Sequence, residues 1–361
     1  VSLDLLQQEV ESVMLENEAI STVTIFEGQP PIEYLQIRFA EILNANPWLR
    51  GRLVKRKGKI LLEYDESTTI DLLGFSVVDN IQQECFTDLK TDALKYSKSF
   101  APYLVKKAKD CLNKNELLFK VIVGSVSKNQ FILCVSLSHV IGDGFTFYKL
   151  YGMLSLYTQV QSLVAHRNIE KGDEVYKQGS EVYAVFVTFG LILNMVGKLM
   201  FGKRVQTSVS EVDLGYIQQV KEEYRSDVVS MEGDSSAPRF LSTNDILTSS
   251  YMRASNCDLG MMAINFRNRM EGLDDSLAGN YESVIAYQKG DYEEGRFIRA
   301  SLQPPFARRH PERPLLPGFF AKKRAKLSIV TNWSSFYKQV LLPGECKHVA
   351  HVPVFNTLDD P

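Results

Sequence analysis

An apolar run that ends in a histidine and a glycine-bordered turn constrains this chain more than any other segment. Residues 131–137, FILCVSL, are apolar enough for a buried strand, and residues 145–151, FTFYKLY, begin a predicted helix. Between them, residues 138–144 read SHVIGDG. The pattern predicts a strand, a turn and a helix, with His139 held in the open at the turn. An exposed, oriented imidazole can accept a proton near neutral pH.

The composition is that of a globular protein with enough apolar material for a large core or two domains. Of the 361 residues, 45% are hydrophobic and 23% are charged. Lysine and arginine number 41 against 43 aspartates and glutamates, and this net charge of −2 gives no sign of nucleic-acid binding. Five scattered cysteines without a C-x-x-C pair indicate reduced thiols. Together with a polar, acidic start that does not resemble a signal peptide, they predict a cytoplasmic protein.

Helix and strand patterns occur in both halves of the chain and predict an α/β (α+β) fold of two lobes. We expect helices over residues 31–43, 145–164 and 242–255, and strands over 117–126, 130–138, 259–266, 327–331 and 346–355, with a hairpin at 57–59. We divide the chain into an N-terminal lobe (1–170), a connection with an apolar helix (171–237) and a C-terminal lobe (238–361).

The most apolar window of the chain is residues 183–201, YAVFVTFGLILNMVGKLMF. As one helix it would be about 28 Å long, close to the thickness of a bilayer. Its threonine, asparagine, glycines and lysine make it a borderline spanning segment. The residues leave two alternatives open, a helix buried or covered by a partner, which we prefer, and peripheral contact with a membrane surface.

The turn resembles a known motif. His139-x-x-x-Asp143-Gly144 is similar to the H-x-x-x-D-G motif of the coenzyme A-dependent acyltransferase superfamily, which includes BAHD acyltransferases, chloramphenicol acetyltransferase and nonribosomal peptide condensation domains. Three fixed residues arise by chance too easily for the motif alone to be specific. Four further segments resemble the family in its order: 46–53 (NPWLRGRL), 242–247 (STNDIL), 263–269 (AINFRNR) with Gly279-Asn280, and 331–336 (TNWSSF).

The resemblance implies a chloramphenicol-acetyltransferase-like pair of lobes with the active-site tunnel at their interface. It also implies acyl transfer from a thioester to a hydroxyl, or less favourably an amine, of a hydrophobic small molecule. In the family pattern His139 is the general base, no acyl-enzyme forms, and the proton returns to the coenzyme A thiolate. Acyl-coenzyme A is the expected co-substrate. No tightly bound cofactor or metal is expected, and we expect a monomer.

Roles for further residues follow from the same resemblance. The aspartate, Asp143, is expected to point away from the imidazole and to pair with an arginine that fixes the turn. Arg267 and Arg269, two apart on a predicted strand, are the candidates; we prefer Arg267, with exposed strand charge as the alternative. With His139 and Asp143, the expected catalytic group contains Gly144 and Thr331, whose hydroxyl is the candidate donor to the oxyanion.

Substrate binding is expected at residues Ser138, Gly142, Asn280 and Trp333. The glycines of the turn, Gly142 and Gly144, would let the chain bend and let the substrate approach the backbone. Trp333 would form a wall of the acceptor pocket, with ordinary core packing as the alternative.

The chain also departs from parts of this family. The D-F-G-W-G segment of plant BAHD members is missing after Trp333, where residues 339–344 read QVLLPG. Wax ester synthases carry a second histidine directly before the catalytic one, and this chain has Ser138 there. The departures favour a fungal-, protist- or bacterial-type branch.

Two other functions remain open on sequence grounds. A carrier-protein phosphopantetheine arm could deliver the acyl group in place of coenzyme A, as in condensation domains. A non-catalytic protein could use a hydrophobic tunnel between the lobes for binding alone. Retention of His139, Asp143 and Gly144 argues against the latter, because a binding protein does not need an exposed base.

Overall fold

The structure, a computed structural model, describes residues 1–66, 72–79, 81, 99–201, 209–230 and 238–354. Within these ranges the strands are β1 (Ser2–Asp4), β2 (Ile20–Glu27), β3 (Arg52–Arg56), β4 (Lys59–Glu63), β5 (Phe75–Val78), β6 (Phe119–Ser127), β7 (Gln130–Leu137), β8 (Leu259–Asn265), β9 (Glu282–Tyr287), β10 (Leu327–Val330) and β11 (Lys347–Pro353). The helices are α1 (Gln7–Val10), α2 (Ser12–Glu16), α3 (Ile32–Ala45), α4 (Ala108–Cys111), α5 (Gly144–Gly152), α6 (Ile169–Gln178), α7 (Ser180–Phe186), α8 (Phe189–Phe201), α9 (Leu214–Ser230), α10 (Thr243–Ser255), α11 (Gly295–Ser301) and α12 (Phe319–Arg324).

Strand β7 lies at the centre of a five-stranded mixed sheet ordered β11-β2-β7-β6-β5. Successive side chains of a strand point to opposite faces, so a strand covered on both sides has an unbroken apolar sequence. Leu133 and Val135 belong to the core cluster that contains Phe39 of α3, whereas Ile132 and Cys134 pack in a second cluster across the sheet. The apolar run before His139 therefore marks a strand buried on both faces, as the sequence predicts.

Two three-stranded sheets complete the mixed α/β architecture. In the first, β4 pairs antiparallel with β1 and β3, and the β3–β4 turn has positive φ at Lys57 and Gly58, which confirms the predicted hairpin. In the second, β8 is parallel to β10 and antiparallel to β9. The second sheet packs with α10, whose first turn is capped by the side chains of Ser242 and Asp245, as predicted.

The last strand crosses to the sheet built mainly from the first half of the chain. β11 pairs antiparallel with β2, with His351 opposite Thr24. The division into 1–170, 171–237 and 238–361 stays a prediction. If the chain is divided in this way, β11 of the C-terminal lobe is an edge strand in the sheet of the N-terminal lobe. Residues 202–208, 231–237 and the predicted strand end at Phe355 lie outside the described residues.

The predicted helix over 145–164 is wrong in length, because α5 ends at Gly152. Glycine is a weak helix former, and the carbonyls just past the helix end accept from a side chain instead of from the next helical turn. Arg38 donates from Nε to Met153 O at 2.8 Å and from Nη2 to Ser155 O at 3.1 Å. Beyond that point Leu156 N donates to Leu341 O, so the chain joins a loop of the other half instead of continuing the helix.

The apolar window 183–201 is not one helix, which corrects the second long-helix prediction. α7 and α8 are separated at Val187 and Thr188, where the Thr188 hydroxyl donates to Val185 O at 2.7 Å. A threonine hydroxyl competes with the backbone for such carbonyls and weakens a continuous helix. In the described ranges, every helix falls short of the length or apolarity that crossing a bilayer would require.

Candidate active site

The turn after β7 is fixed by its own backbone and by a helix cap. Ser138 N donates to Leu118 O at 2.8 Å, and Ile141 N donates back to Ser138 O at 3.1 Å. Asp143 caps α5, because its Oδ1 accepts from Thr146 N at 2.9 Å and from the Thr146 hydroxyl at 3.0 Å. The sequence pattern thus forms the predicted strand, turn and helix, with His139 at the turn.

Asn280 orients the imidazole of His139. Its Oδ1 lies 3.1 Å from His139 Nδ1, while its Nδ2 donates to His139 O at 2.8 Å and to Glu9 Oε1 at 3.0 Å. Those two oxygens accept only, so the amide nitrogen faces them and Oδ1 faces the ring. Nδ1 therefore carries the hydrogen, and the lone pair of the neutral ring is on Nε2. With 20% of its side chain exposed, His139 is accessible to a small molecule.

A buried ion pair lies beneath this contact. Glu9 of α1 and Arg167, which precedes α6, are almost fully buried, and Arg167 Nε lies 3.0 Å from Glu9 Oε2. Glu9 Oε1 also accepts from Asn280 N at 2.9 Å, and Arg167 Nη2 donates to Ile141 O at 3.0 Å. A buried pair needs further hydrogen bonds to offset its desolvation, and here they connect α1, the turn and the residue that orients the base.

Asp143 pairs with Arg267, the arginine preferred from the sequence. Arg267 Nη1 lies 2.6 Å from Asp143 Oδ2, and both side chains are at most 1% exposed. Arg267 Nη2 donates to Gly279 O at 2.8 Å, and Tyr281 N donates to Asp143 Oδ2 at 3.2 Å. In the described part of the chain these groups and Thr146 take up both carboxylate oxygens, and His139 is not among their donors.

Arg267 and Arg269 do not share a strand face, because β8 ends at Asn265. A tight turn follows, in which Arg269 N donates to Phe266 O at 3.0 Å and Asn268 has a φ of 59°. The turn sends Arg269 away from Asp143, and its Nη1 donates to Leu302 O at 3.0 Å.

Both glycines of the motif are in close contact with side chains. A Cβ at Gly142 would lie 2.7 Å from Thr146 Cγ2, and a Cβ at Gly144 would lie 2.9 Å from Trp333 Nε1. A side chain at position 142 would displace Thr146, so glycine there preserves the hydrogen bonds of Thr146 to Asp143. The indole of Trp333 packs against the start of α5 and lies 6.1 Å, centroid to centroid, from Tyr148.

The remaining predicted residues differ in accessibility. Ser138 is 1% exposed, so its side chain is withdrawn from solvent. Thr331 directly follows β10 and is exposed, and no hydrogen bond joins it to His139 within the described ranges. The substrate roles of Ser138, Gly142, Asn280 and Trp333 and the oxyanion role of Thr331 stay predictions.

Glu282 is a site residue that sequence reasoning missed. Its Oε1 lies 3.8 Å from His139 Nε2, the nitrogen with the lone pair. Burial and, to a smaller extent, the charge of Asp143 raise the pKa of Glu282 to about 7, against the opposing charges of His139 and Arg267. Glu282 is two residues after Asn280, a spacing that could have directed attention to it.

A cleft of about 640 Å³ lies on the C-terminal half and is rich in cations. Its described lining contains no Asp or Glu, and its basic residues are Lys221, Arg225, Arg267, Arg269 and Arg299. Burial and the charge of nearby Arg299 lower the pKa of Arg269. Two of the five cations are already paired, Arg267 with Asp143 and Arg299 with Asp245 at 2.7 Å. The cleft adjoins the His139 turn, since Arg267 contacts Asp143 and the lining residue Asn265 is the strand partner of Glu282.

Comparisons with known proteins bear on the fold. No protein-family model matches the chain, and no curated protein matches it. Among solved structures, TRI101 of F. sporotrichioides, complexed with coenzyme A and T-2, superposes with a TM-score of 0.53 and 12% identity over 96% of this chain and 88% of TRI101. TRI101 of F. graminearum with coenzyme A and deoxynivalenol gives 0.53 and 11% over 96% and 89%.

The first condensation domain of the CDA synthetase gives a TM-score of 0.54 and 10% identity over 98% of this chain and 85% of that domain. The superpositions cover nearly the whole chain at low identity, so they establish architecture. This chain therefore has the two-lobed, mixed α/β fold of TRI101 and of that condensation domain.

Proposed function

We propose that the protein is an acyltransferase that moves an acyl group from acyl-coenzyme A to the hydroxyl of a hydrophobic small molecule, with His139 as general base. The observation that carries the proposal is the hydrogen bond between Asn280 Oδ1 and His139 Nδ1. It leaves the lone pair on Nε2 of a partly exposed ring, and a proton acceptor needs that arrangement.

The reaction needs little beyond this base, because a thioester is already activated. Nε2 of His139 takes the proton of the acceptor hydroxyl as its oxygen attacks the thioester carbonyl. The tetrahedral intermediate breaks its C–S bond, and the imidazolium returns the proton to the departing thiolate. Thr331 is the proposed donor to the oxyanion, and Asp143 with Arg267 holds the turn in place.

The cation-rich cleft supports coenzyme A as the donor. Coenzyme A carries a diphosphate and a 3′-phosphate, whereas a carrier-bound pantetheine arm presents one phosphodiester. Besides Arg267 and Arg299, which pair with Asp143 and Asp245, the lining contributes Lys221, Arg225 and Arg269, and these cations match the more highly charged molecule. TRI101, which shares the fold, was solved with coenzyme A bound. The condensation domain shares it too, so a carrier-borne donor is the second candidate.

The choice between coenzyme A and a carrier protein can be tested with an acyl donor that lacks the phosphates of coenzyme A, or with a protein variant that lacks one cation of the cleft. We expect thiol release from acyl-coenzyme A to be much faster than from acyl-pantetheine or an acyl-carrier protein. Arg269→Gln should raise KM for acyl-coenzyme A about tenfold, which corresponds to one charge-assisted contact, and should leave kinetics with acyl-pantetheine unchanged. The measurement is the rate of thiol release from acyl-coenzyme A of increasing chain length, with each of a panel of alcohols as acceptor.

Arg253→Gln, which removes an exposed cation of α10 outside the cleft lining, is the matched control and should behave as wild type. Faster turnover of the carrier-borne thioester would overturn the coenzyme A proposal. Absence of acceptor-dependent thiol release with every donor would overturn the enzymatic function itself.

The carboxylate of Glu282 is expected to stabilise the imidazolium that forms on His139. Its pKa of about 7 means that it is charged above that pH and neutral below it. The ratio of wild-type to Glu282→Gln kcat should therefore grow from near one below pH 7 to about tenfold above it. A kcat profile across pH at saturating acyl-coenzyme A measures this, with the exposed Glu271→Gln as control. A ratio that does not change with pH would contradict the assignment.

A further inference from the structure

An exposed apolar surface lies where α8 and α12 pack together, far in sequence from the His139 turn. Asn194 holds the two helices, since its Nδ2 donates to Lys322 O at 3.0 Å and to Ala325 O at 2.9 Å. Gly190 allows the close approach, because a Cβ there would lie 3.0 Å from Phe319 O. The α8–α12 surface consists of residues Val187, Phe189, Ile192, Met195, Phe319 and Phe320, each at least 42% exposed.

Three aromatic rings of this surface lie next to one another. The ring of Phe319 lies 6.2 Å from that of Phe189 and 5.5 Å from that of Phe320, centroid to centroid. Phe189 and Phe320 are each 69% exposed. Monomers rarely leave apolar patches of this kind open to water, except where a partner or a membrane covers them.

Helix α8 is apolar on both its inner and its outer side. Leu191 is fully buried against the protein, while Phe189, Ile192 and Met195, spaced by three residues, point outward. An ordinary surface helix carries polar side chains on the outer face. The apolar outer face of α8 is therefore typical of a helix face that a partner or a membrane covers.

The charge beside this face distinguishes between two possible coverings, a second copy of the chain and a lipid surface. Residues 314–330 contain Lys322, Lys323, Arg324 and Lys326 and no Asp or Glu, and α8 has no Asp or Glu either. Within the described ranges no ion pair joins the cations of α12 to a carboxylate. Across a two-fold axis a second copy would bring the same cations towards each other, which opposes self-association. An anionic lipid surface supplies both the apolar layer and the counter-charge.

We infer that the α8–α12 surface binds the face of an anionic bilayer, with Phe189 and Phe320 among the lipid headgroups and Lys322, Lys323 and Arg324 against the lipid phosphates. The helices lie on the membrane and do not cross it, because the 13 residues of α8 span only about 20 Å. Bound in this way, the protein would meet acceptors that partition into lipid. The inference does not depend on the proposed reaction.

Sedimentation with vesicles tests the inference directly. The whole protein should bind phosphatidylcholine vesicles that contain phosphatidylserine and should bind pure phosphatidylcholine much more weakly, with affinity falling as salt rises. Each cation near the surface contributes about fivefold, so Lys322→Gln/Lys323→Gln/Arg324→Gln should weaken binding on the order of a hundredfold. Phe189→Ser/Phe320→Ser should also abolish most of the binding, because it removes the inserting rings.

Tyr157→Ser is the matched control, since Tyr157 is 81% exposed but lies outside the surface. It should bind as wild type, and thermal unfolding should show all variants folded. Equal sedimentation of wild-type protein with and without phosphatidylserine would overturn the inference. So would a wild-type dimer in analytical ultracentrifugation that the Phe189→Ser/Phe320→Ser change dissociates, since a second copy would then be the occupant.

Discussion

Replacing His139 by alanine is expected to lower kcat about a thousandfold at pH 7.5 while the protein stays folded. The imidazole is the group that takes the proton of the acceptor. Because Nδ1 is directed to Asn280, the lone pair is on Nε2, 3.8 Å from Glu282 Oε1. The loss of one partly exposed hydrogen bond costs about 1 kcal/mol of folding free energy, too little to unfold the protein. Thiol release from acyl-coenzyme A with an acceptor measures the effect.

His166→Ala is the control for His139→Ala, because His166 is an exposed histidine next to Arg167 and outside the turn. It should turn over as wild type. A His139→Ala protein that kept turnover within tenfold of wild type would show that a different group accepts the proton. The KM for acyl-coenzyme A should change little in His139→Ala, since the proposed phosphate contacts are in the cleft of Arg269.

The local parts of the site were predictable because they depend on neighbours in sequence. A seven-residue apolar run that ends at a glycine-bordered turn is too short for an ordinary helix and predicts a buried strand, and glycines at 142 and 144 predict the turn that carries His139. Ser242 and Asp245 form a capping box from two residues three apart. The preference for Arg267 over Arg269 agrees with the structure, but the shared strand face expected for the two arginines is wrong. β8 ends at Asn265, and the turn at Asn268 separates the directions of the two side chains.

The parts that depend on distant contacts could not be predicted. Glu9 lies in a polar stretch that resembles a solvated helix, yet it is fully buried against Arg167 and Asn280, more than 150 residues away. Glu282 has the charge of an exposed strand end, and it comes near His139 because its neighbours Asn280 and Tyr281 bond to the His139 turn. Likewise, periodicity identifies β11 as a strand but does not identify β2 as its partner.

Replacing Arg267 by methionine is expected to lower the free energy of unfolding by about 3–5 kcal/mol, because it leaves the carboxylate of Asp143 buried without its counter-charge. The pair spans the two halves of the chain, and Arg267 also donates to Leu277 O at 2.9 Å and to Gly279 O at 2.8 Å. Urea unfolding followed by circular dichroism at neutral pH measures the change.

The double variant Asp143→Asn/Arg267→Met separates lost packing from stranded charge. Asparagine can still accept from Thr146 N through Oδ1, so the cap of α5 persists while the buried charge is gone. The double variant should therefore be more stable than Arg267→Met alone, because the effects of substitutions at two residues in contact are not additive. Arg269→Met, which loses one partly buried contact to Leu302 O, should cost about 1 kcal/mol. If Arg267→Met were no less stable than Arg269→Met, the buried pair would not be what holds the His139 turn, and contacts such as those of Arg167 with Ile141 O and of Asn280 with His139 O would have to order it.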